Sequence, residues 1–340
     1  MSAEKFKVAI LGATGYTALE LLRLLRRHPM VEVVAVTSRE NTDPIDVVHP
    51  SLTGQFSVRC SNLKPDALAE LGVDTVFSCL PHTATAAVAP ELLSLGMKVI
   101  DFGADYRLND AAVFNKWYNV VHPDPDRLPL TPYGLPELFR EKIRGANLVA
   151  NPGCYPTSAI LPLAPLLKGD YIAPDDLIID SKSGVSGAGR KPSLKNLYPE
   201  CNEAISAYGV GSHRHTPEIE EVLTTVGGKP TRIIFTPHLV PMDRGILTTA
   251  YSKRVKEASQ EELMEYLRDF YKDEPFVQVV DALPSTKDVS HTNRCHITVR
   301  LVGDRVVTIS AIDNLVKGAS GAAVQNFNLI HDLDETTALL

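Results

Sequence analysis

A short apolar run, a glycine turn and an amphipathic helix follow one another near the start of this chain, and no other feature narrows its fold as far. Lys7–Leu11 reads as a strand, Gly12–Gly15 as a tight turn, and Thr17–His28 as a helix that buries Leu21, Leu22 and Leu25 and stops at Pro29. A second strand, Glu32–Thr37, follows at once. Thr75–Cys79, Lys98–Asp101 and Leu148–Asn151 repeat the short strand-like pattern, with an alanine-rich helix ending near Gly96 between the first two. Strands that alternate with helices build a parallel sheet covered on both faces, so the first half is expected to be a Rossmann-like, doubly wound α/β domain.

Beyond about residue 155 the pattern changes. Leu177–Ser181, Arg232–Thr236, Ile246–Lys253, Cys295–Leu301 and Arg305–Ile312 are longer strand-like runs with fewer helices between them. A second α+β domain with a mainly antiparallel sheet is expected, its last two strands joined as a hairpin through Val302-Gly303-Asp304. Helices Gln260–Tyr271 and Ala319–His331 complete it. The expected division is 1–153 for the first domain and 154–317 for the second, and the sequence leaves open whether the helix within 318–340 returns to the first. A length of 340 residues suits two cores.

Composition removes several functional classes. The formal net charge of −7 argues against nucleic acid as the main partner, because binding a phosphate backbone needs a basic face. The first strand is too short for a signal h-region or a membrane span, which leads us to expect a cytoplasmic protein with no membrane partner. Five cysteines at 60, 79, 154, 201 and 295 show no C-x-x-C spacing, so neither a disulfide framework nor a zinc ribbon is indicated.

The glycine turn carries a chemical expectation. In Gly12-Ala13-Thr14-Gly15-Tyr16-Thr17 the glycines let backbone approach an anion, and the helix start offers N–H groups and partial positive charge. A dinucleotide pyrophosphate is the expected ligand. The second strand ends in Thr37-Ser38-Arg39, and a hydroxyl with a guanidinium there suits the 2′-phosphate of NADP better than the bare ribose of NAD. Glu40, next in line, keeps NAD open.

Asn151-Pro152-Gly153-Cys154-Tyr155-Pro156-Thr157 places a thiol just ahead of an apolar helix, Thr157–Leu167. The field of a helix start stabilises thiolate, which makes Cys154 a candidate nucleophile, whereas the other four cysteines read as packing residues. In Ser212-His213-Arg214-His215-Thr216-Pro217-Glu218, Thr216 is a good N-cap and Pro217 suits the first helical position. His215 then precedes a helix that disfavours imidazolium, leaving a neutral ring able to accept a proton. The His213-x-His215 pair also has the form of half a metal site, but no companion ligands stand at a compact spacing, so no metal is expected.

Together with Asp101-Phe102-Gly103-Ala104-Asp105-Tyr106-Arg107-Leu108 and Ser183-Gly184-Val185-Ser186-Gly187-Ala188-Gly189-Arg190, these motifs resemble N-acetyl-γ-glutamyl-phosphate reductases, within the wider semialdehyde dehydrogenase group. The similarity runs in order from residue 7 to about residue 325. It implies reduction of an acyl phosphate by NADPH in arginine biosynthesis, through a thioester on Cys154 with His215 as acid/base. It also places Arg107, Ser186, Gly187 and Arg190 near substrate and cofactor, and Gly318 near the nicotinamide. Arg107 and Arg190 are the candidates for anchoring phosphate or carboxylate. A homodimer or homotetramer is implied as well. Phe102-Gly103 departs from the leucine and serine often found there, which touches only the local hydrogen bonding.

Three other readings stay open. The aspartate enzymes of the group carry glutamine one helical turn after the cysteine, where this chain has Ser158, and a histidine after the glycine of a Val-Pro-Val segment, where Val240-Pro241-Met242-Asp243-Arg244-Gly245 is followed by Ile246. Reductases that act on an aminoadipyl or glutamyl group held on a carrier protein share the chemistry. A non-catalytic NADP-binding sensor would keep the fold and leave Cys154 and His215 free to drift.

Overall fold

A computed structural model describes residues 5–340 and divides them into two compact units, one formed by residues up to Pro152 together with Ala319–Leu340, the other by Gly153–Gly318. The first unit is built on six parallel strands: β1 (Phe6–Leu11), β2 (Val31–Thr37), β3 (Cys60–Ser61), β4 (Thr75–Ser78), β5 (Lys98–Asp101) and β6 (Leu148–Ala150). Their order is β3-β2-β1-β4-β5-β6, so the winding reverses between β1 and β4. Open α/β sheets bind ligands at the carboxyl ends of the strands at such a reversal.

Strand periodicity explains the two layers. Val8 and Ile10 of β1 join Phe77, Ile100 and Val149 in one core cluster, while Ala9 and Leu11 join Val76, Val99, Leu148 and Ala150 in the other. Both faces are thus apolar, as a covered parallel sheet requires. The helix Tyr16–Leu25 packs Leu21, Leu22 and Leu25 into the first cluster, each burial stabilising by roughly 1.5–3 kcal/mol. It ends three residues before the expected His28, in a turn over Arg26–His28.

The chain's last helix, Gly321–Ile330, lies in this unit with all ten residues buried. Phe327 meets Phe77 and Phe6 with ring centroids 5.6 and 5.9 Å apart. Its polar residues are paired: Asn328 Oδ1 meets His28 Nε2 at 2.8 Å, and Asn326 Nδ2 donates to Gly134 O at 2.9 Å.

Seven strands form the second unit's sheet: β7 (Ile172–Ser183), β8 (Ser206–Ala207), β9 (Ile233–Leu239), β10 (Ile246–Arg254), β11 (Val277–Val279), β12 (Cys295–Val302) and β13 (Arg305–Ile312), in the order β11-β12-β13-β10-β7-β9-β8. Four neighbouring pairs are antiparallel, while β7 with β9 and β11 with β12 are parallel. β12 and β13 form the expected hairpin, with Val302 opposite Arg305.

The helix Cys154–Lys168 packs on β10 and β13 and contains Pro162 and Pro165. A proline inside a helix cannot donate to the carbonyl four residues back. Here both orphaned carbonyls are satisfied by hydroxyls: Ser310 Oγ donates to Ser158 O and the Tyr271 OH to Leu161 O, each at 2.6 Å. The helix therefore runs through two prolines, and it begins at Cys154 rather than at the expected Thr157.

Candidate active site

In the first unit the glycine turn sits at the β1/β4 reversal. Gly12 has a φ of +76°, and a Cβ there would lie 2.6 Å from the carbonyl oxygen of Cys79, so both conformation and space demand glycine. Ala13 is fully buried, donating its N–H to Thr37 O at 2.9 Å while its carbonyl meets His49 Nε2 at 2.7 Å. Gly15 caps the helix without a side chain, and a Cβ on it would meet nothing nearer than Thr17 Oγ1 at 3.9 Å. The first turn of that helix holds no acidic residue. Open space in front of Gly15, at the start of a helix whose first turn points its N–H groups outward, is a place where an anion fits and a side chain at 15 would intrude. Thr17 is fixed from behind, its carbonyl accepting from Ser320 Oγ at 2.8 Å.

At the end of β2, Ser38 Oγ accepts the N–H groups of Glu40 and Asn41 at 3.4 and 3.1 Å, which turns the chain there. Arg39 is exposed and has no hydrogen bond or ion pair to another described residue. Arg107 is buried at 6% exposure: its Nε donates to Asn151 O and its Nη2 to Phe102 O, both at 2.8 Å. Two of its donors therefore hold backbone, one of them three residues ahead of Cys154 in the chain. At the departure noted above, the Gly103 N–H donates to Asp101 Oδ1 at 2.8 Å, and a Cβ on Gly103 would lie 2.9 Å from that same oxygen.

In the second unit, Cys154 is the first residue of its helix, with Gly153 as N-cap. Thr157 returns both its N–H and its hydroxyl to Gly153 O, at 2.9 and 3.0 Å. The Gly153 N–H donates to Glu218 Oε1 at 2.8 Å, and Glu218 is 1% exposed. Gly318 closes the other side: a Cβ on it would lie 2.8 Å from Cys154 Cβ. Asp313 shapes that approach, taking the N–H groups of Leu315 and Val316 on Oδ1 at 2.8 and 3.0 Å and the Gly318 N–H on its backbone carbonyl at 2.9 Å. The last of these spans five residues, the spacing of a π-turn, a form that recurs at functional sites.

His215 is the first residue of the helix His215–Gly227, so the expected N-cap Thr216 lies inside the helix. The capping comes instead from His213, whose Nδ1 accepts the His215 N–H at 3.1 Å. Burial, and secondly the Arg214 charge, push the His213 imidazole down to about 4, so it is a neutral ring and an acceptor. Tyr155 packs edge-on against both histidines, its ring centroid 5.6 Å from His213 and 6.0 Å from His215, which lie 4.9 Å from each other. The Tyr208 OH donates to the Tyr155 OH at 3.0 Å, which donates on to His238 O at 3.2 Å. Burial raises both phenols, Tyr208 to about 12.

The fold thus brings the starts of the Cys154 and His215 helices together within one unit. Ser186 and Gly187 lie on the turn after β7, where the Ser186 hydroxyl donates to Asp243 O at 2.6 Å and accepts from Asn314 Nδ2 at 3.0 Å. Arg190 is exposed at the end of that turn. Sequence reasoning passed over Glu218, Tyr155 and Tyr208. Glu218 had one signal, a carboxylate among helix positions that pack inward. Among the described residues no group of three or more His, Cys, Asp or Glu side chains is arranged to hold a metal ion, and no helix is long and apolar enough to cross a membrane.

Comparison with known proteins bears on both units. Residues 7–146 match the family described as semialdehyde dehydrogenase, NAD binding domain, and residues 154–314 match semialdehyde dehydrogenase, dimerisation domain. The chain is 52% identical to an N-acetyl-γ-glutamyl-phosphate reductase of Rhodopirellula baltica over 100% of both chains. It is 51% identical to one of Moorella thermoacetica over 98% of this chain and 97% of that one. Among solved structures, aspartate semialdehyde dehydrogenase II of Vibrio cholerae superposes with a TM-score of 0.73 at 18% identity, covering 96% of this chain and 98% of the other. The aspartate semialdehyde dehydrogenase of Candida albicans with NADP gives 0.72 at 16% identity, with the same coverage. At those identities the structures speak for the fold alone.

Proposed function

The chain belongs to the semialdehyde dehydrogenase family, and from that premise we propose that it is an N-acetyl-γ-glutamyl-phosphate reductase of arginine biosynthesis working through Cys154. The observation that carries the mechanism is the placement of Cys154 at the first position of its helix, beside the His215 helix start. A thiolate there lies in the positive field of the helix, and the N–H groups of the first turn face the carbon it attacks. Sγ adds to the acyl phosphate carbonyl, phosphate leaves with the bonding pair, and a thioester remains. First-turn N–H groups stabilise the oxyanion, a contribution typically of ~3 kcal/mol per donor. When bound, the nicotinamide nucleotide supplies the hydride that reduces the thioester. His215 moves the proton to and from the resulting thiohemiacetal oxygen, so that the C–S bond breaks, the aldehyde departs and the thiolate is restored.

Gly12, Ala13, Thr14, Gly15, Tyr16 and Thr17 would hold the pyrophosphate. An NAD-binding family model supports a nicotinamide nucleotide. NADP is our finer reading, supported by the exposed Arg39 beside Ser38, where a guanidinium matches a 2′-phosphate. We assign Arg107 and Arg190 to the anionic substrate, and Ser186 and Gly187 to the cofactor; Gly318, near the nicotinamide by resemblance, is assigned to the space beside Cys154 on its contact with that residue. A homo-oligomer fits a family described by its dimerisation domain, and the cytoplasm is our reading of where a biosynthetic reductase of this kind works. The test is phosphate-dependent reduction of NADP and of NAD, with N-acetyl-glutamate semialdehyde and aspartate semialdehyde side by side. Turnover with the acetylated substrate and NADP is expected to dominate, whereas preference for the aspartate compound would overturn the substrate and preference for NAD the cofactor.

A further inference from the structure

We infer that Glu218 is the positioning residue of the nucleophile: its carboxylate caps Gly153 from the neighbouring helix and so holds Cys154 in register with His215. The inference rests on the roles of Cys154 and His215 given above. Its starting point is a defect in the cysteine helix. With Gly153 as N-cap, the first three positions are Cys154, Tyr155 and Pro156. In a capping box the residue at the third position reaches back with a glutamate or glutamine to the N-cap N–H. Pro156 has no such group, and the Gly153 N–H is buried, where a missing acceptor is costly.

Glu218 supplies the missing acceptor from another helix, with Oε1 2.8 Å from the Gly153 nitrogen and the side chain 1% exposed. Burying a carboxylate is unfavourable unless it is hydrogen-bonded, so this residue is placed where its bond matters. Glu218 follows His215 by three residues on one helix, hence on the same face. One rigid turn therefore carries the acid/base group at its start and, at its end, the bond that fixes the residue before the nucleophile. Tyr155, packed edge-on against His215, keeps the two helix starts apart at a fixed distance. The carboxylate does not touch the reacting atoms in this scheme. It sets the distance between them, and the residue type matters for reach and acceptor capacity rather than for charge.

The test compares Glu218→Ala, Glu218→Gln and Glu218→Asp with the parent and with Cys154→Ser, all as full-length protein. Turnover is measured in the phosphate-dependent direction, and iodoacetamide labelling of Cys154 is followed by peptide mass. E218A is expected to lower kcat about 10- to 100-fold, the loss that a misplacement near 1 Å produces. Its KM should stay within about threefold of the parent, because binding groups are untouched. E218Q keeps the acceptor at the same reach and should recover most of the lost kcat, whereas E218D keeps the charge but falls short by a methylene and should resemble E218A. Parent-like kcat in E218A would overturn the inference, as would E218D outperforming E218Q. If E218A does not fold, the order of E218Q and E218D decides alone. C154S is the separate control: turnover in that variant sinks the thioester reading itself, whatever the Glu218 variants do.

Discussion

Gly318 stands where a methyl group has no room. Its Cβ would lie 2.8 Å from Cys154 Cβ, closer than real side chains approach, and a tight 3.2 Å from Cys154 Cα. Its neighbour is the first residue of a helix rather than the end of a flexible chain, so an added methyl must displace either Cys154 or the π-turn that Asp313 holds. Family likeness places Gly318 at the nicotinamide, while the geometry places it at the thiol, and the two roles predict different kinetics. Gly318→Ala is expected to lower kcat by about one to two powers of ten, with nucleotide affinity nearly unchanged. Equal losses in turnover and in nucleotide affinity, measured by fluorescence titration, would return the residue to the cofactor. His213 makes the same point about single residues: in sequence it has the form of half a metal site with His215, yet in the fold it is a neutral acceptor that starts the His215 helix.

At the scale of elements, the cysteine helix is expected from its apolar run yet carries Pro162 and Pro165, either of which would break it in isolation. It survives because β13 and the helix Gln260–Phe270 with its following Tyr271 bring Ser310 Oγ and the Tyr271 OH to the two orphaned carbonyls. Tyr271→Phe removes one hydroxyl and leaves Leu161 O buried without its partner, at an expected cost of ~1–3 kcal/mol in urea unfolding. Ser310→Ala should do the same at Ser158 O, and less so in a Pro162→Ala background, where the helix regains its own donor. A Tyr271→Phe protein as stable as the parent would show that these hydroxyls do not sustain the helix. The same accounting explains why the sequence placed the helix start too late: Pro156 reads as a breaker, yet at the third helical position no intrahelical acceptor awaits its missing N–H.

For the whole molecule, the last helix has the largest consequence, since it seats Phe327 between Phe6 and Phe77 in the first unit. Just beyond it, His331 Nε2 meets Thr75 Oγ1 at 2.7 Å, and burial, followed by the Lys98 charge, pushes the imidazole down to about 4. A base whose folded pKa lies below its unfolded value of 6.5 binds fewer protons when folded. Its contribution to stability is therefore whole above about pH 6.5 and is lost as pH falls through 4. His331→Asn should flatten that part of the pH–stability curve without abolishing it, because His28 and His213 are lowered in the same sense. An unchanged slope between pH 6.5 and 4 would mean that the ring is protonated without cost. What the sequence determined by itself was whatever depends on neighbours along the chain: strand and helix periods, the glycine turn, a cysteine beside prolines at a helix start. These follow from local sterics and burial patterns that a short window contains. Only the tertiary structure decided which carbonyls Ser310 and Tyr271 satisfy, that Glu218 caps Gly153, that Gly318 presses on Cys154, and that the final helix packs against Phe6 and Phe77 of strands near the other end of the chain. Each joins groups far apart in the chain, and such a partner is fixed by closure of the core rather than by any local preference.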